Sequence, residues 1–282
     1  MRITKWTLFS SIAGCVGVVA LGIGSVSGMN KKSEYERRTE DPRNKKYTLG
    51  DKHSGYVVMT KQTRDMQDDD FSNPAFLWVD AGEAFWNKVQ GSKGKSCASC
   101  HKSAKKSMKG IGATYPVYDK KAKKMVALQA KINSHLVDKM GAKKIKWESK
   151  NMLGLAAYIN LQSRGMPMNV SIDGPAEKFY EAGKKFYNQR RGLLDMACKH
   201  CHVDNAGKMI RSNLLSQGQA NGFPTYRLKW QKPGSLHRRF AGCNKQVRAK
   251  PYKRGSPEYT NLELYMKHRA SGLPVESPSV RN

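Results

Sequence analysis

The sequence predicts a mainly α-helical protein built from two tandem copies of one helical domain, preceded by an N-terminal extension. Three observations carry this: an internal repeat, a cysteine–histidine motif that recurs within it, and helix start and stop signals at matching places. Shifting the sequence by 101 positions lays Ala81-Gly82 on Ala182-Gly183, Phe85-Trp86-Asn87 on Phe186-Tyr187-Asn188 and Gly91 on Gly192. Further on, a shift of 107 matches Tyr158 with Tyr265 and Gly165-Met166-Pro167 with Gly272-Leu273-Pro274. Self-similarity at a near-constant offset marks a duplicated unit.

Residues 1–28 read as a cleaved secretory signal peptide. Arg2 and Lys5 precede an apolar stretch over 6–24, small residues follow at Ser25-Val26-Ser27-Gly28, and Asn30-Lys31-Lys32 is polar. That order of charged, apolar and small residues is an export signal. A retained membrane anchor and a lipoprotein modified at Cys15 are the alternatives. Gly and Ser dilute the apolar run, and it continues past Cys15. Cleavage after Gly28 leaves 254 of the 282 residues, enough for two small domains. The formal charge of +29 falls to about +27 with the loss of Arg2 and Lys5. Such a charge attracts anions, acidic proteins or anionic surfaces. An exported chain rarely meets nucleic acid, so none is expected as a partner.

Residues 29–70 are polar and read as an extension wrapped on the surface or partly disordered. Residues 71–170 form the first domain and 171–282 the second, with Ser171-Ile172-Asp173-Gly174 as linker. Each begins with a helix after a proline, Pro74 or Pro175. Phe76, Leu77, Val79 and Phe85 recur near helical spacing in one, and Phe179, Ala182, Gly183 and Phe186 in the other. The closing helix of the first copy is expected over 150–164. That of the second starts at Ser256-Pro257, a capping serine with proline at the first helical position. Glycine followed by proline ends both.

Within the repeat, Cys97-Ala98-Ser99-Cys100-His101 and Cys198-Lys199-His200-Cys201-His202 both read C-x-x-C-H. Two cysteines three apart on one helical turn reach the two vinyl groups of a haem and form thioethers. The adjacent histidine, His101 or His202, then faces the iron as proximal ligand. A zinc site built from four cysteines, or two redox-active pairs, needs no histidine in that place twice. Two covalently attached haem c groups are therefore expected. A helix before the motif and another closing the copy is the cytochrome c arrangement, so both domains are expected to be cytochrome c-like.

The repeat also indicates the distal ligands. A shift of 108 lays Leu128 on Leu236, Lys131 on Arg239, Ile132 on Phe240 and His135 on Cys243. Met125, Met140 and Met108 are alternatives to His135, and a free thiol or half of an intermolecular disulfide is the alternative for Cys243. His53, His200, His237 and His268 have no counterpart in the repeat and read as ordinary residues. A thiolate on haem iron lowers its reduction potential. Arg238, Arg239, Lys245 and Arg248 lie close in sequence to Cys243, and cations lower a thiol pKa and attract anions. Soft sulfur beside a haem and an anion site points to sulfur chemistry.

The segment Arg239-Phe240-Ala241-Gly242-Cys243-Asn244-Lys245-Gln246-Val247-Arg248-Ala249-Lys250-Pro251-Tyr252 resembles the active-site segment of the SoxA family. Pro257-Glu258-Tyr259, Leu262-Glu263-Leu264-Tyr265 and Gly272-Leu273-Pro274 resemble its C-terminal end, and Phe85-Trp86 with Lys95-Ser96-Cys97-Ala98-Ser99-Cys100-His101 its two-haem branch. The likeness runs from Phe71 to the C-terminus. It implies a periplasmic enzyme, an L-cysteine S-thiosulfotransferase, paired with a smaller SoxX-like cytochrome c subunit. The pair joins thiosulfate to a cysteine of a SoxYZ-like carrier protein and passes two electrons to a cytochrome c. It also implies that Cys243 ligates the second haem and carries the sulfur as a persulfide, and that Arg239 binds thiosulfate. Where many members have a distal cysteine on the first haem, this chain has His135, which should raise that haem's potential. The competing functions are a dihaem electron-transfer cytochrome and a tetrathionate-forming thiosulfate dehydrogenase.

Overall fold

The computed structural model describes residues 32–282, so the expected signal peptide, with Cys15, lies outside the described residues. All elements below belong to the unit Ser33–Asn282.

Ahead of the repeat, helices α1 (Glu34–Thr39) and α2 (Lys61–Asp68) flank a hairpin of β1 (Thr48–Leu49) and β2 (Lys52–His53). Ser33 and Thr60 cap the helices by accepting from the N–H groups of Glu36 and Thr63, satisfying donors the helix itself leaves unpaired. This polar stretch nevertheless builds a small core: Tyr47 stacks on Tyr56 with 3.8 Å between centroids. Tyr56 and Val57 are fully buried beside it. At its far end α2 grips the chain's C-terminal segment. Gln67 accepts from the Val280 N–H at 3.0 Å and donates to Glu276 at 3.3 Å.

In the first copy α3 (Phe76–Asn87) leads to α4 (Cys97–His101), two single-turn helices α5 (Ala104–Ser107) and α6 (Ile111–Thr114), and a hairpin of β3 (Val117–Asp119) and β4 (Lys124–Val126). Then come α7 (Leu128–Met140) and α8 (Lys150–Leu161). The second copy repeats the plan. Helix α9 (Glu177–Asn188) is followed by α10 (Cys198–His202), a short hairpin of β5 (Met209–Ile210) and β6 (Asn213–Leu214), and then β7 (Thr225–Arg227) paired with β8 (Lys232–Gly234). Helices α11 (Leu236–Gln246) and α12 (Pro257–Arg269) follow, and β9 (Ser279–Arg281) pairs parallel to β7. The shift of 108 carries β3 and β4 onto β7 and β8 and the first residue of α7 onto that of α11.

In each copy the first helix crosses the last, α3 on α8 and α9 on α12, at a glycine. A Cβ at Gly82 would lie 2.2 Å from the Gly154 carbonyl oxygen, and one at Gly183 would lie 2.0 Å from that of Asn261. Only glycine permits backbones to approach this closely, which is why the aligned Ala-Gly pair recurs. The crossing also fixes which face is buried. Val79, Gly82, Phe85 and Trp86 face the core, whereas Leu77, expected on that stripe, points away and is 67% exposed. The first closing helix ends at Leu161, short of the expected Arg164, because the chain turns over residues 162–165 into the Gly165 stop. Ser256 caps α12 by accepting from the Tyr259 N–H, with Pro257 at the first position.

The two glycine–proline stops pair with each other. Met168 N–H donates to Leu273 O and Val275 N–H to Met166 O, both at 2.8 Å. Around this seam Met125, Met168, Val170, Leu264, Leu273 and Val275 form a core shared by the copies. Burying each such side chain contributes about 1.5–3 kcal/mol.

Candidate functional site

Both C-x-x-C-H motifs fold as one helical turn. In α4, Ser96 and Ser99 cap each other reciprocally, each hydroxyl accepting the other's N–H at 3.1 Å. In α10, His200 takes the place of Ser99: its Nδ1 accepts from the Ala197 N–H at 3.1 Å. His200 is therefore the turn's cap, not an idle residue. The described cysteines are free of disulfides, so all four motif thiols are available for thioether bonds.

In the first copy α7 brings His135 against His101. The ring planes are 6° apart and the centroids 5.9 Å apart. A ring nitrogen binds a metal at about 2 Å, so rings facing at this distance leave room for one metal atom between them. Burial pushes the His135 pKa down, and Lys131, His101 and Lys139 push it further, which favours the neutral imidazole a metal needs. Trp86 packs beside His101 with 5.8 Å between centroids and donates from Nε1 to Lys102 O at 3.1 Å. Of the methionine alternatives, Met125 sits in the core shared by the copies.

In the second copy His202 donates from Nδ1 to Ser216 O at 2.8 Å, which fixes the ring and leaves Nε2 free to ligate. Cys243, half-buried on α11, lies beside His202. Burial by itself would raise its thiol, but the Arg239 charge, the His202 contact and the Arg227 charge outweigh it and bring it down to about 7. By contrast, burial pushes Cys97 up to about 11, and burial with the Cys243 charge pushes Cys198 up to about 12. These donors fit an iron held between an imidazole nitrogen and a thiolate sulfur.

Arg239 lies one turn before Cys243 on the same helix face. Arg238 instead stacks on Trp230, with 4.3 Å from its guanidinium to the ring centroid, and Lys245 and Arg248 are exposed. The second cation at the thiolate is Arg227, at the end of β7, which sequence neighbourhood did not indicate. Its Nε donates to Asn282 O at 2.7 Å. Burial and the nearby Arg239 charge lower its pKa to about 10, so it stays charged at neutral pH. His237, read from the sequence as ordinary, is 1% exposed. Its Nδ1 accepts from the Gly255 N–H at 2.9 Å. Its Nε2 lies 3.0 Å from the Glu263 carboxylate, off the line of a straight hydrogen bond.

A helical domain that crosses its first and last helices at a glycine and carries C-x-x-C-H on the turn between them is that of a c-type cytochrome, which binds haem c covalently. The chain belongs to the SoxA/TsdA cytochrome c domain family, whose description matches residues 81–168 and 182–275. It is 46% identical over 230 residues to the L-cysteine S-thiosulfotransferase subunit SoxA of Paracoccus pantotrophus, covering 82% of this chain and 79% of that protein. It is 39% identical over 254 residues to the Rhodovulum sulfidophilum protein of the same name, covering 90% and 88%. The crystal structure of SoxXA from P. pantotrophus superposes with a TM-score of 0.80 at 45% identity, covering 82% of this chain and 87% of that one. Among the described residues no helix is long and apolar enough to cross a membrane.

Proposed function

We propose that the chain is the catalytic cytochrome subunit of an L-cysteine S-thiosulfotransferase, joining thiosulfate oxidatively to a cysteine of a carrier protein. Cys243 carries this assignment. A thiol on the distal side of His202, held toward its thiolate form by Arg239 and Arg227, suits sulfur transfer better than plain electron relay.

Two haem c groups are assigned. One is attached at Cys97 and Cys100, between His101 and His135; the other at Cys198 and Cys201, between His202 and Cys243. Haem held by these residues would supply the capacity to accept the electrons and release them toward a cytochrome c. In the overall reaction one S–S bond forms between the carrier sulfur and the outer sulfur of thiosulfate. The thiol proton and two electrons leave. Arg239 seats the dianion through paired, charge-assisted hydrogen bonds from its planar guanidinium, Arg227 adds a second positive charge, and Cys243 holds thiosulfate through an S–S bond until the carrier thiol displaces it, so the sulfonate stays on the transferred group. The partners are a SoxX-like small cytochrome c subunit, a SoxYZ-like carrier and an electron-accepting cytochrome c, all in the periplasm. The relative's structure as a SoxXA complex supports the first of these.

In the reconstituted system, Cys243→Ala is expected to abolish thiosulfate-dependent reduction of cytochrome c. Unchanged turnover would remove Cys243 from catalysis. Mass analysis of the product separates a thiosulfonated carrier from the tetrathionate that a thiosulfate dehydrogenase releases.

A further inference from the structure

Helix α11 has two faces with different duties. Leu236, His237, Phe240 and Asn244 are buried, while Arg239 and Cys243, one turn apart, look onto the site. Successive residues on a helix are about 100° apart, so a modest rotation of α11 would carry the guanidinium and the sulfur away from their shared target. Something must fix the rotation.

Part of the hold comes from the second copy itself. His237 contacts Gly255 and Glu263, and Glu263 pairs with Lys267 at 2.8 Å. Asn244 accepts from Arg191 at 2.6 Å. The rest comes from the first copy, from the segment between α7 and α8. Trp147 stacks on His237 with 5.0 Å between centroids and 18° between planes. It also packs under Gly255, where a Cβ would lie 2.8 Å from the indole. Glu148 accepts from the hydroxyl of Ser235 and, at 3.4 Å, from its N–H. Ser235 is the residue that caps α11, accepting from Arg238 N–H at 3.1 Å. Arg254 lies 3.6 Å from the same carboxylate.

The segment is anchored in turn to the helix that bears His135. Asn133 accepts from Ile145 N–H at 2.9 Å and donates to Ile145 O at 3.1 Å. A continuous path therefore runs from α7 through Asn133, Ile145, Trp147 and Glu148 to the first turn of α11.

We propose that Trp147 and Glu148 of the first copy are positioning residues for the second. They clamp the first turn of α11 and so set the rotation at which Cys243 and Arg239 face the site together. This rests on Cys243 being the distal ligand of the second haem. The clamp gives the first copy a structural duty toward the reaction that is independent of any electron relay through its own haem.

The test uses Trp147→Leu and Glu148→Ala in the full chain, purified with its partner subunit and oxidised. Low-temperature electron paramagnetic resonance is recorded together with steady-state turnover. The thiolate-type low-spin signal of the second haem is expected to weaken or split, and kcat to fall about tenfold or more, the scale of a small misplacement of reacting groups. The bis-histidine signal of the first haem should stay unchanged, and Glu148→Gln, which keeps an acceptor for Ser235, should keep the wild-type spectrum. An unaltered thiolate signal with unaltered kcat overturns the clamp. So does loss of both haem signals together, since that reports general disruption. Absence of the thiolate-type signal from the wild-type protein sinks the ligand assignment instead, and the two failures are distinguishable.

Discussion

His135, on α7, and His101, on the single turn of α4, lie with ring planes 6° apart and centroids 5.9 Å apart. The place that corresponds to His135 in the second copy holds a thiol, Cys243. Axial ligand identity sets haem potentials over a wide range.

His135→Cys should therefore lower the potential of the first haem, by about 0.1 V or more, and leave the second in place. A redox titration followed by optical spectra reads both. A first-haem potential that does not move would mean that His135 is not its ligand.

Arg239→Lys keeps the charge but loses the planar fork, so kcat/KM for thiosulfate should fall by about 10- to 100-fold, as expected for charged hydrogen bonds of about 1.5–3 kcal/mol. Arg227→Gln should act mainly on KM, because Arg227 adds field at the thiolate without lying on its helix. Steady-state kinetics across thiosulfate concentrations checks both; a KM unchanged in Arg227→Gln removes that residue from the anion seat.

The reason the placement of His135 beside His101 and of Cys243 beside His202 was legible in the sequence, while Arg227 was not, lies in the repeat. The offset of 108 preserves Leu128 and Leu236 as first residues of α7 and α11, so His135 and Cys243 align without a structure. The same offset carries Arg227 back to Asp119, a residue of opposite charge, and no repeat argument can find a cation that one copy lacks. Arg227 reaches the site through the pairing of β7 with β8 and β9, a tertiary event. His237 was passed over for want of a matching histidine, yet its counterpart Gln129 is also polar and buried. The polar composition before Asp70 likewise hid Tyr47 and Tyr56, whose stacking needs only two aromatic residues.

Glu263 gives a pH signature. Burial alone would raise its carboxyl, but Lys267 and His237 outweigh that and hold it at about 2. A depressed carboxylate pKa stabilises the fold above the unfolded value, about 4.3, and that contribution is lost as pH falls toward 2. Glu263→Gln should cost about 3–5 kcal/mol near pH 6, the range for breaking a buried pair, and the gap to wild type should narrow between pH 4.5 and pH 2. Thermal melts over that window test it; a gap independent of pH would show that the charge is not what matters.

Gly183→Ala should destabilise the second copy by about 1–3 kcal/mol, the usual cost of overpacking, because the added Cβ meets Asn261 O at 2.0 Å. Chemical denaturation reads the loss. No change would mean that the α9–α12 crossing yields more easily than its geometry implies.

The most direct measurement is the low-temperature electron paramagnetic resonance spectrum of the oxidised wild-type complex. Cys243 and His135 as distal ligands predict a narrow, thiolate-type low-spin signal beside a wider bis-histidine one. A spectrum without the thiolate-type signal would contradict the account, since Cys243 would then not bind the iron and the chain would behave as an electron carrier.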